Sequence, residues 1–323
     1  MPIFNAKNIP EKVVGENKDP QISAWLKNGP VLGAHKPVHE QRREHDAFID
    51  PQLPPIGQIE YLGIKGPHGT IPVRCYHPSR PGLAAGAALI YLHGGGFIVG
   101  SLDQFETAMC RLAETSGAQV YAVDYKLAPE YQWPVQLEEG EFVVRWLFDK
   151  AAARGVDPAR IALGGDSAGG NLTCTISLKL RDEQGPALAL QMPLYPEAKM
   201  PFETAAAVEN RRGGYVDTAG IFLFLWSLLP QGVDYTQPYI TPMNAPSHAG
   251  LPPALLVTCG FDMLRDVGHE YARKLAAAGN ALTYVHYPDL PHGFIQMTRH
   301  SSRCLEATQE VARLLGQALS KEA

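Results

Sequence analysis

The sequence has few cysteines and no long apolar run, and each shortage excludes a class of protein. The five cysteines are an odd number, and none lies in a C-x-x-C pair, so neither a disulfide framework nor a structural zinc site is expected. The longest apolar stretch, residues 221–230, is shorter than the about 20 residues that a membrane-spanning helix needs. We therefore expect free, buried thiols, no metal and no stable membrane insertion.

An excess of positive charge is also missing. The net charge is −5, charged residues make up 19% of the chain, and there is no basic block. Nucleic acid is therefore not an expected partner. The first seven residues carry no long apolar segment, so no signal peptide is expected. The free thiols expected of the five cysteines are typical of a reducing cytosol, which predicts a cytoplasmic protein.

Short apolar segments alternate with helical patterns through most of the chain. A hairpin over residues 58–76 opens this region, and later apolar strands are separated by helices. Such alternation predicts a parallel sheet with helices on both faces. We count eight strands, of which the first two are expected to run antiparallel to the rest.

Two segments interrupt the alternation, residues 1–50 and residues 196–245. The first contains two short helical patterns, and the second contains the apolar run 221–230. This run could be a helix buried on several sides or a helix that touches lipid. We favour a third reading, a lid helix over a hydrophobic substrate.

The most informative segment is Gly165-Asp166-Ser167-Ala168-Gly169, a G-x-S-x-G pattern. On these five letters alone an ordinary turn is a good explanation, because all are common turn residues. However, a strand pattern precedes the segment and a helix pattern follows it, which predicts a sharp, strained turn that exposes the Ser167 hydroxyl. The N-terminus of the following helix would then point its unpaired N–H groups at whatever the serine attacks.

A nucleophilic serine needs a base, and the base needs a carboxylate to orient it. Asp262 follows the strand pattern at 255–259, and His292 follows the last strand pattern, at 283–287. Residues just past the carboxyl ends of parallel strands meet at one edge of a sheet, and the order Ser, Asp, His is the one that α/β-hydrolases use. Asp266, a rival carboxylate, is expected to begin the next helix instead.

The glycine-rich segment His93-Gly94-Gly95-Gly96-Phe97 directly follows a strand pattern. It continues into neither of the two common phosphate-binding patterns. We predict that the backbone N–H groups of Gly94, Gly95 and Ala168 bind the oxyanion, each contributing about 3 kcal/mol. His93 precedes the serine, which is the wrong order for the base, and is expected to hold this loop by a hydrogen bond.

Segments 93–97, 124–130 and 165–172 together resemble the hormone-sensitive-lipase-like family of carboxylesterases, and segments 260–266 and 292–294 fit the same family. The resemblance implies an α/β-hydrolase fold, with a mostly parallel eight-stranded sheet, helices on both faces and a helical cap. It also implies hydrolysis of carboxylic esters. The cap and its aromatic residues Phe222, Phe224 and Trp226 suggest a confined, apolar pocket, which favours esters of short to medium acyl chains. The resemblance divides the chain into 1–50, the first part of the cap; 51–195, the first part of the catalytic core; 196–245, the cap insertion; and 246–323, the second part of the core.

Two residues depart from the family pattern. Met263 stands where relatives often have proline, and Val267 stands where they often have an acid. Neither is a triad position, so we expect them to affect cap contacts or local stability.

Further site residues are predicted around this centre. Supporting roles are assigned to His93, Gly96, Glu130 and Asp166. The substrate pocket is assigned to Phe97, Tyr195, Phe222, Phe224 and Trp226. For Glu130 two roles stay open, support of the nucleophile loop and an acid at a helix start before Pro134.

In the expected reaction His292 removes the proton of Ser167, which attacks the ester, while Asp262 orients the imidazole. This reaction requires no metal or organic cofactor, and the expected binding partner of the protein is its small-molecule ester substrate. The resemblance also implies a possible homodimer that pairs through the last strand. A non-catalytic receptor, like the similar plant gibberellin receptors, is disfavoured because those lack the catalytic histidine. Hydrolysis of activated aryl amides stays open, since no residue separates it from esterase activity.

Overall fold

The structure is a computed structural model that describes residues 3–33, 36–200, 203–212 and 214–320. Some residues of the predicted segments lie outside these described residues, namely 1–2, 34–35, 201–202, 213 and 321–323.

A single sheet organises the described residues. Its strands are β1 (Ile3–Asn5), β2 (Gln58–Gly66), β3 (Gly69–His77), β4 (Ala88–Leu92), β5 (Gln119–Val123), β6 (Ile161–Asp166), β7 (Leu190–Leu194), β8 (Ala254–Phe261) and β9 (Leu282–Pro291). The order across the sheet is β1-β9-β8-β7-β6-β4-β5-β3-β2. The six strands that lie side by side in the order β9-β8-β7-β6-β4-β5 are all parallel to one another. Strand β3 pairs antiparallel with β5. The predicted mostly parallel sheet is confirmed.

Two details of the sheet differ from the prediction. The described chain has nine strands instead of eight, because β1 is a three-residue strand that no alternation signals. Of the first two predicted strands, now β2 and β3, only β3 runs antiparallel to the central strands. Since β2 is antiparallel to β3, β2 points the same way as β5, and the expectation for β2 was wrong.

The helices cover both faces of the sheet and lie close to their predicted places. They are α1 (Pro20–Trp25), α2 (Val38–His45), α3 (Leu102–Ser116), α4 (Val135–Lys150), α5 (Ala168–Asp182), α6 (Ala205–Glu209), α7 (Thr218–Leu228), α8 (Arg265–Ala277) and α9 (Ser302–Ala318). The ends of α3 show why the boundaries fall where they do. Ser101 accepts a hydrogen bond from the Gln104 N–H at the start, and Gly117 takes a left-handed conformation at the end.

The core lies between the sheet and these helices. Every residue of β4, β6 and β7 is buried, as expected for parallel strands that are covered on both faces. The five cysteines are all buried and free, so they pack as small apolar side chains. Among the described residues, no helix has both the length and the apolar character to cross a bilayer.

The N-terminal segment lies along the outer edge of β9. Strand β1 pairs with residues 283–285, and farther along the edge the N–H of Glu16 donates to the Pro288 carbonyl at 2.8 Å. The first part of the predicted cap therefore covers a sheet edge. A dimer through the last strand stays a prediction, and it would have to form around this covering segment.

The remaining parts of the two predicted cap segments contact each other. Leu32 donates its N–H to the Tyr215 carbonyl at 2.9 Å, and its own carbonyl accepts from the Asp217 N–H at 3.0 Å. Leu32 thereby forms a parallel bridge with Val216. The N-terminal segment and the insertion thus meet above the carboxyl ends of the strands.

Candidate active site

Ser167 lies on the turn between β6 and α5, in a conformation that few residues adopt. Its backbone has φ 54° and ψ −114°, which is strained for a residue with a side chain. A Cβ atom on Gly165 or Gly169 would overlap the Leu92 carbonyl oxygen. The flanking glycines are therefore required by the close approach of β4, and the turn pushes the Ser167 hydroxyl out at the edge of the sheet.

The structure brings the three predicted triad residues together. His292 Nε2 lies 2.8 Å from Ser167 Oγ, and Asp262 Oδ1 lies 3.0 Å from His292 Nδ1. Asp262 follows β8 directly, and His292 follows β9, which extends to Pro291 and so ends immediately before the histidine. All three side chains converge because their strands end at the same edge of the sheet.

The contact between Asp262 and His292 is close but imperfectly aligned. Although the two atoms are 3.0 Å apart, His292 Nδ1 has no hydrogen-bond partner in good geometry. Asp262 Oδ1 also accepts the Leu264 N–H at 2.8 Å, which fixes the carboxylate. Such contacts are often loose in a free enzyme and tighten when substrate is bound.

The glycine loop after β4 supplies backbone donors, but not all of those predicted. The N–H of Gly94 already donates to Asp166 Oδ1 at 2.8 Å, so the assignment of Gly94 to the oxyanion hole was wrong. Gly95 and Gly96 line the cavity beside Ser167. Their φ angles of 115° and 59° lie in the left-handed region that favours glycine. The candidate donors are therefore the N–H groups of Gly95, Gly96 and Ala168.

Asp166 joins the glycine loop to the nucleophile turn. Its Oδ1 accepts hydrogen bonds from the Tyr91 hydroxyl at 2.9 Å and from Gly94. Burial raises the pKa of Asp166 to about 6, although these two donors oppose the rise. Asp166, predicted as a supporting residue, thus fixes the position of the glycine loop relative to the nucleophile turn.

His93 fixes the other side of the same loop. Its Nδ1 lies 2.8 Å from the Gly94 carbonyl oxygen, and the Tyr125 hydroxyl donates to the His93 carbonyl at 2.6 Å. The two rings also stack with centroids 4.4 Å apart. The loop hydrogen bond expected of His93 is present.

Glu130 contacts neither the nucleophile loop nor a helix start. Its carboxylate forms a two-pronged ion pair with Arg42 of α2, with both distances 2.7 Å, and α4 begins only at Val135. Arg42 also donates to the Ile98 carbonyl at 2.8 Å. Both predicted roles of Glu130 were wrong, because it anchors the N-terminal cap helix to the core.

Only one of the five predicted pocket residues lines the cavity over Ser167. Phe224 does so and packs against Gly96. Phe222 and Trp226 lie on the opposite face of α7, where 40% and 75% of their surface is exposed, so their assignment was wrong. Phe97 and Tyr195 are buried outside the cavity wall; the ring of Tyr195 meets His292 edge-on at 4.9 Å.

Sequence reasoning missed most of the cavity wall. The residues that it did not assign to the pocket are Leu32, Glu197, Tyr215, Val216, Ile221, Met263, Gly293 and Gln296. Leu32 comes from the N-terminal segment and Val216 from the insertion, and only their pairing places them here. Glu197 carried a readable signal, because it follows β7 as Asp262 follows β8.

Comparisons with known proteins cover the same region. A family model described as the alpha/beta hydrolase fold matches residues 89–296. The chain is 37% identical to the carboxylic ester hydrolase LipN of Mycobacterium tuberculosis, over 95% of this chain and 85% of the relative. It is 32% identical to an ethyl acetate hydrolase of Pseudomonas putida, over 86% and 92%. A hyperthermophilic esterase from Pyrobaculum calidifontis superposes with a TM-score of 0.86 at 30% identity, over 94% of this chain and 99% of that one.

Proposed function

Because the chain belongs to the α/β-hydrolase family, in its hormone-sensitive-lipase-like group, we propose that it hydrolyses carboxylic esters through an acyl-enzyme on Ser167. One observation carries the assignment of the residues. His292 Nε2 lies 2.8 Å from Ser167 Oγ, which is within reach for direct proton transfer. Relatives that are named as ester hydrolases extend over most of the chain.

Acylation begins when His292 Nε2 takes the hydroxyl proton of Ser167. The serine oxygen then bonds to the ester carbonyl carbon, and the carbonyl oxygen becomes an oxyanion. Asp262 stabilises the imidazolium that forms and keeps Nδ1 protonated. The imidazolium next gives its proton to the leaving alcohol, which departs and leaves the acyl group on Ser167.

The oxyanion is stabilised by N–H groups that are fixed before the reaction. Gly95 and Gly96 come from the loop that Asp166 and His93 hold in place, and Ala168 is the first residue of α5. Such fixed donors cost no reorganisation when the charge develops. Deacylation repeats the sequence with water, which His292 deprotonates for attack on the acyl carbon, and Ser167 regains its proton.

The cavity favours short to medium acyl chains. Apolar side chains of both cap segments lie over the nucleophile, among them Leu32, Val216, Ile221 and Phe224. A long acyl chain would have to displace more of this cover than a short one. We also propose a cytoplasmic location, which the five free, buried thiols support.

Hydrolysis of p-nitrophenyl acetate, butyrate, octanoate and palmitate by the purified protein tests this function. We expect the highest kcat/KM on the short or medium esters and a fall of about 10-fold or more at palmitate, since binding energy is lost when a chain cannot be buried. Absence of hydrolysis on the whole series would overturn the proposed function. Equal rates on palmitate and butyrate, in matched detergent, would overturn only the restriction on chain length.

A further inference from the structure

Glu197 is a carboxyl group near the carboxyl end of a central strand, and the triad mechanism does not use it. It comes three residues after β7 (Leu190–Leu194). Its backbone N–H donates to the Ser167 carbonyl at 3.3 Å, and its own carbonyl accepts from Asn171 Nδ2 at 2.7 Å. The backbone of Glu197 is therefore fixed directly beside the nucleophile turn.

Glu197 is one of the residues that line the same cavity as Ser167 and His292. Only 2% of the residue is exposed, and Oε1 is buried with no hydrogen-bond partner. No ion pair reaches this carboxyl within the described part of the chain. A buried polar group without a partner lowers the stability of the fold, so a carboxyl group here is better explained by substrate binding than by folding.

A second polar group in the cavity also lacks a partner. Gln296 lies on the cavity wall, and its buried Nε2 has no acceptor. The same wall includes the apolar side chains of Leu32, Ile221 and Met263. Pockets that bind small molecules commonly combine such a wall with a few polar groups that set specificity.

The nearby titratable groups leave Glu197 without a charged neighbour to pair with. Burial raises the pKa of Glu197 to about 8, so at neutral pH the group is an uncharged acid with one donor and one acceptor. The other titratable groups on the cavity wall have their own partners: Asp166 with Tyr91 and Gly94, Tyr215 with His45, and His292 with Ser167 and Asp262. The cations on neighbouring segments are paired as well: Lys199 with Glu270, and Arg265 with Glu209 and Asp266.

We propose that Glu197 determines specificity by hydrogen-bonding an uncharged hydroxyl group that the substrate carries close to its ester bond. This inference rests on the proposed ester hydrolysis. An uncharged acid and a hydroxyl can exchange a donor and an acceptor in an apolar cavity without burying charge. An ammonium group would instead have to lose its hydration there while Glu197 became ionised, which makes a cationic substrate the less favourable partner.

Two matched pairs of esters test the proposal, one for each side of the ester bond. Ethyl 3-hydroxybutyrate is compared with ethyl butyrate, and 2-hydroxyethyl butyrate with propyl butyrate. We expect the wild type to favour the hydroxylated ester of at least one pair. In Glu197→Met this preference should fall by about 10- to 100-fold, because the apolar side chain offers no hydrogen bond. In Glu197→Gln it should change by only a few fold at pH 7, because the amide keeps a donor and an acceptor.

The pH profile separates a hydrogen-bonding acid from a residue that only fills space. Above pH 8 the wild-type carboxyl loses its proton and can only accept a hydrogen bond from the substrate hydroxyl, so the preference for the hydroxylated ester should change as pH rises through 8. In Glu197→Gln, which does not titrate, the preference should stay constant to pH 9. Glu306→Gln, a change at an exposed carboxyl on α9 (Ser302–Ala318), serves as the matched control and should titrate like the wild type.

Three results would overturn the proposal. One is a wild type that hydrolyses both plain esters but does not favour either hydroxylated ester. Another is a hydroxyl preference that survives in Glu197→Met. The last is a wild type that prefers the ethyl ester of β-alanine, which carries an ammonium group, over the hydroxylated esters, together with loss of this preference in Glu197→Gln. That result would identify Glu197 as a carboxylate that binds cations. If the wild type hydrolyses none of these esters, the proposed function itself has failed, so the two failures are distinguishable.

Discussion

Replacement of Ser167 with alanine is expected to lower kcat/KM for p-nitrophenyl butyrate by about 10⁵-fold or more. The reason is that alanine lacks the oxygen that bonds to the acyl carbon, while the donors of Gly95, Gly96 and Ala168 stay in place. The loss should therefore appear in kcat rather than in substrate binding. Residual hydrolysis would report what the oxyanion hole alone contributes.

A matched control separates this loss from damage to helix α5. Ser177 lies within α5 and is buried, and its hydroxyl donates to the Thr173 carbonyl at 2.7 Å. Ser177→Ala should keep kcat/KM within about threefold, since it removes one intrahelical hydrogen bond, worth roughly 1 kcal/mol of stability. Both variants should show a cooperative thermal transition. A Ser167→Ala protein with wild-type turnover would contradict the mechanism.

Replacement of Asp262 with asparagine is expected to lower kcat by about 10⁴-fold. The amide keeps the shape of the side chain but carries no charge, and it can donate to His292 Nδ1. The imidazole would then carry its proton on Nε2, the nitrogen that lies 2.8 Å from Ser167 Oγ. A protonated Nε2 cannot accept the serine proton, so acylation slows although the fold is intact.

Asp266→Asn is the control that tests which carboxylate serves His292. Asp266 lies in the first turn of α8 and accepts the Ala206 N–H at 2.8 Å, so its change should affect stability near α6 and leave kcat within about 10-fold. Steady-state kinetics of both variants with p-nitrophenyl butyrate give the comparison. If Asp266→Asn lost more activity than Asp262→Asn, the assignment of the acid would have to be reversed.

Strand ends made the centre of the site predictable. Ser167, Asp262 and His292 each follow an apolar strand pattern, and parallel strands bring their carboxyl ends to one edge of the sheet. The same reasoning, applied to β7, would have found Glu197. It was missed because no residue pattern linked this carboxyl to the serine, the histidine or the aspartate.

Other parts of the site depend on contacts that a single sequence does not encode locally. One example is the choice of oxyanion donors in the glycine loop. The N–H of Gly94 is not free to bind the oxyanion, because it donates to Asp166, a residue 72 positions farther along the chain. The run at 221–230 is apolar on every side, so its pattern does not reveal that Phe224 faces inward and Trp226 outward. Likewise β1 exists only because β9 pairs with it, and three residues carry no periodic signal.

Covalent labelling tests the central claim most directly, that Ser167 is the nucleophile of an ester hydrolase. The protein is incubated with a p-nitrophenyl phosphonate ester, and the adduct is mapped by mass spectrometry while hydrolysis of p-nitrophenyl butyrate is followed. We expect the phosphonate on Ser167, activity that falls in proportion to labelling, and no adduct at this position in Ser167→Ala. Complete inactivation with Ser167 unlabelled, or full labelling of Ser167 with activity retained, would contradict the account.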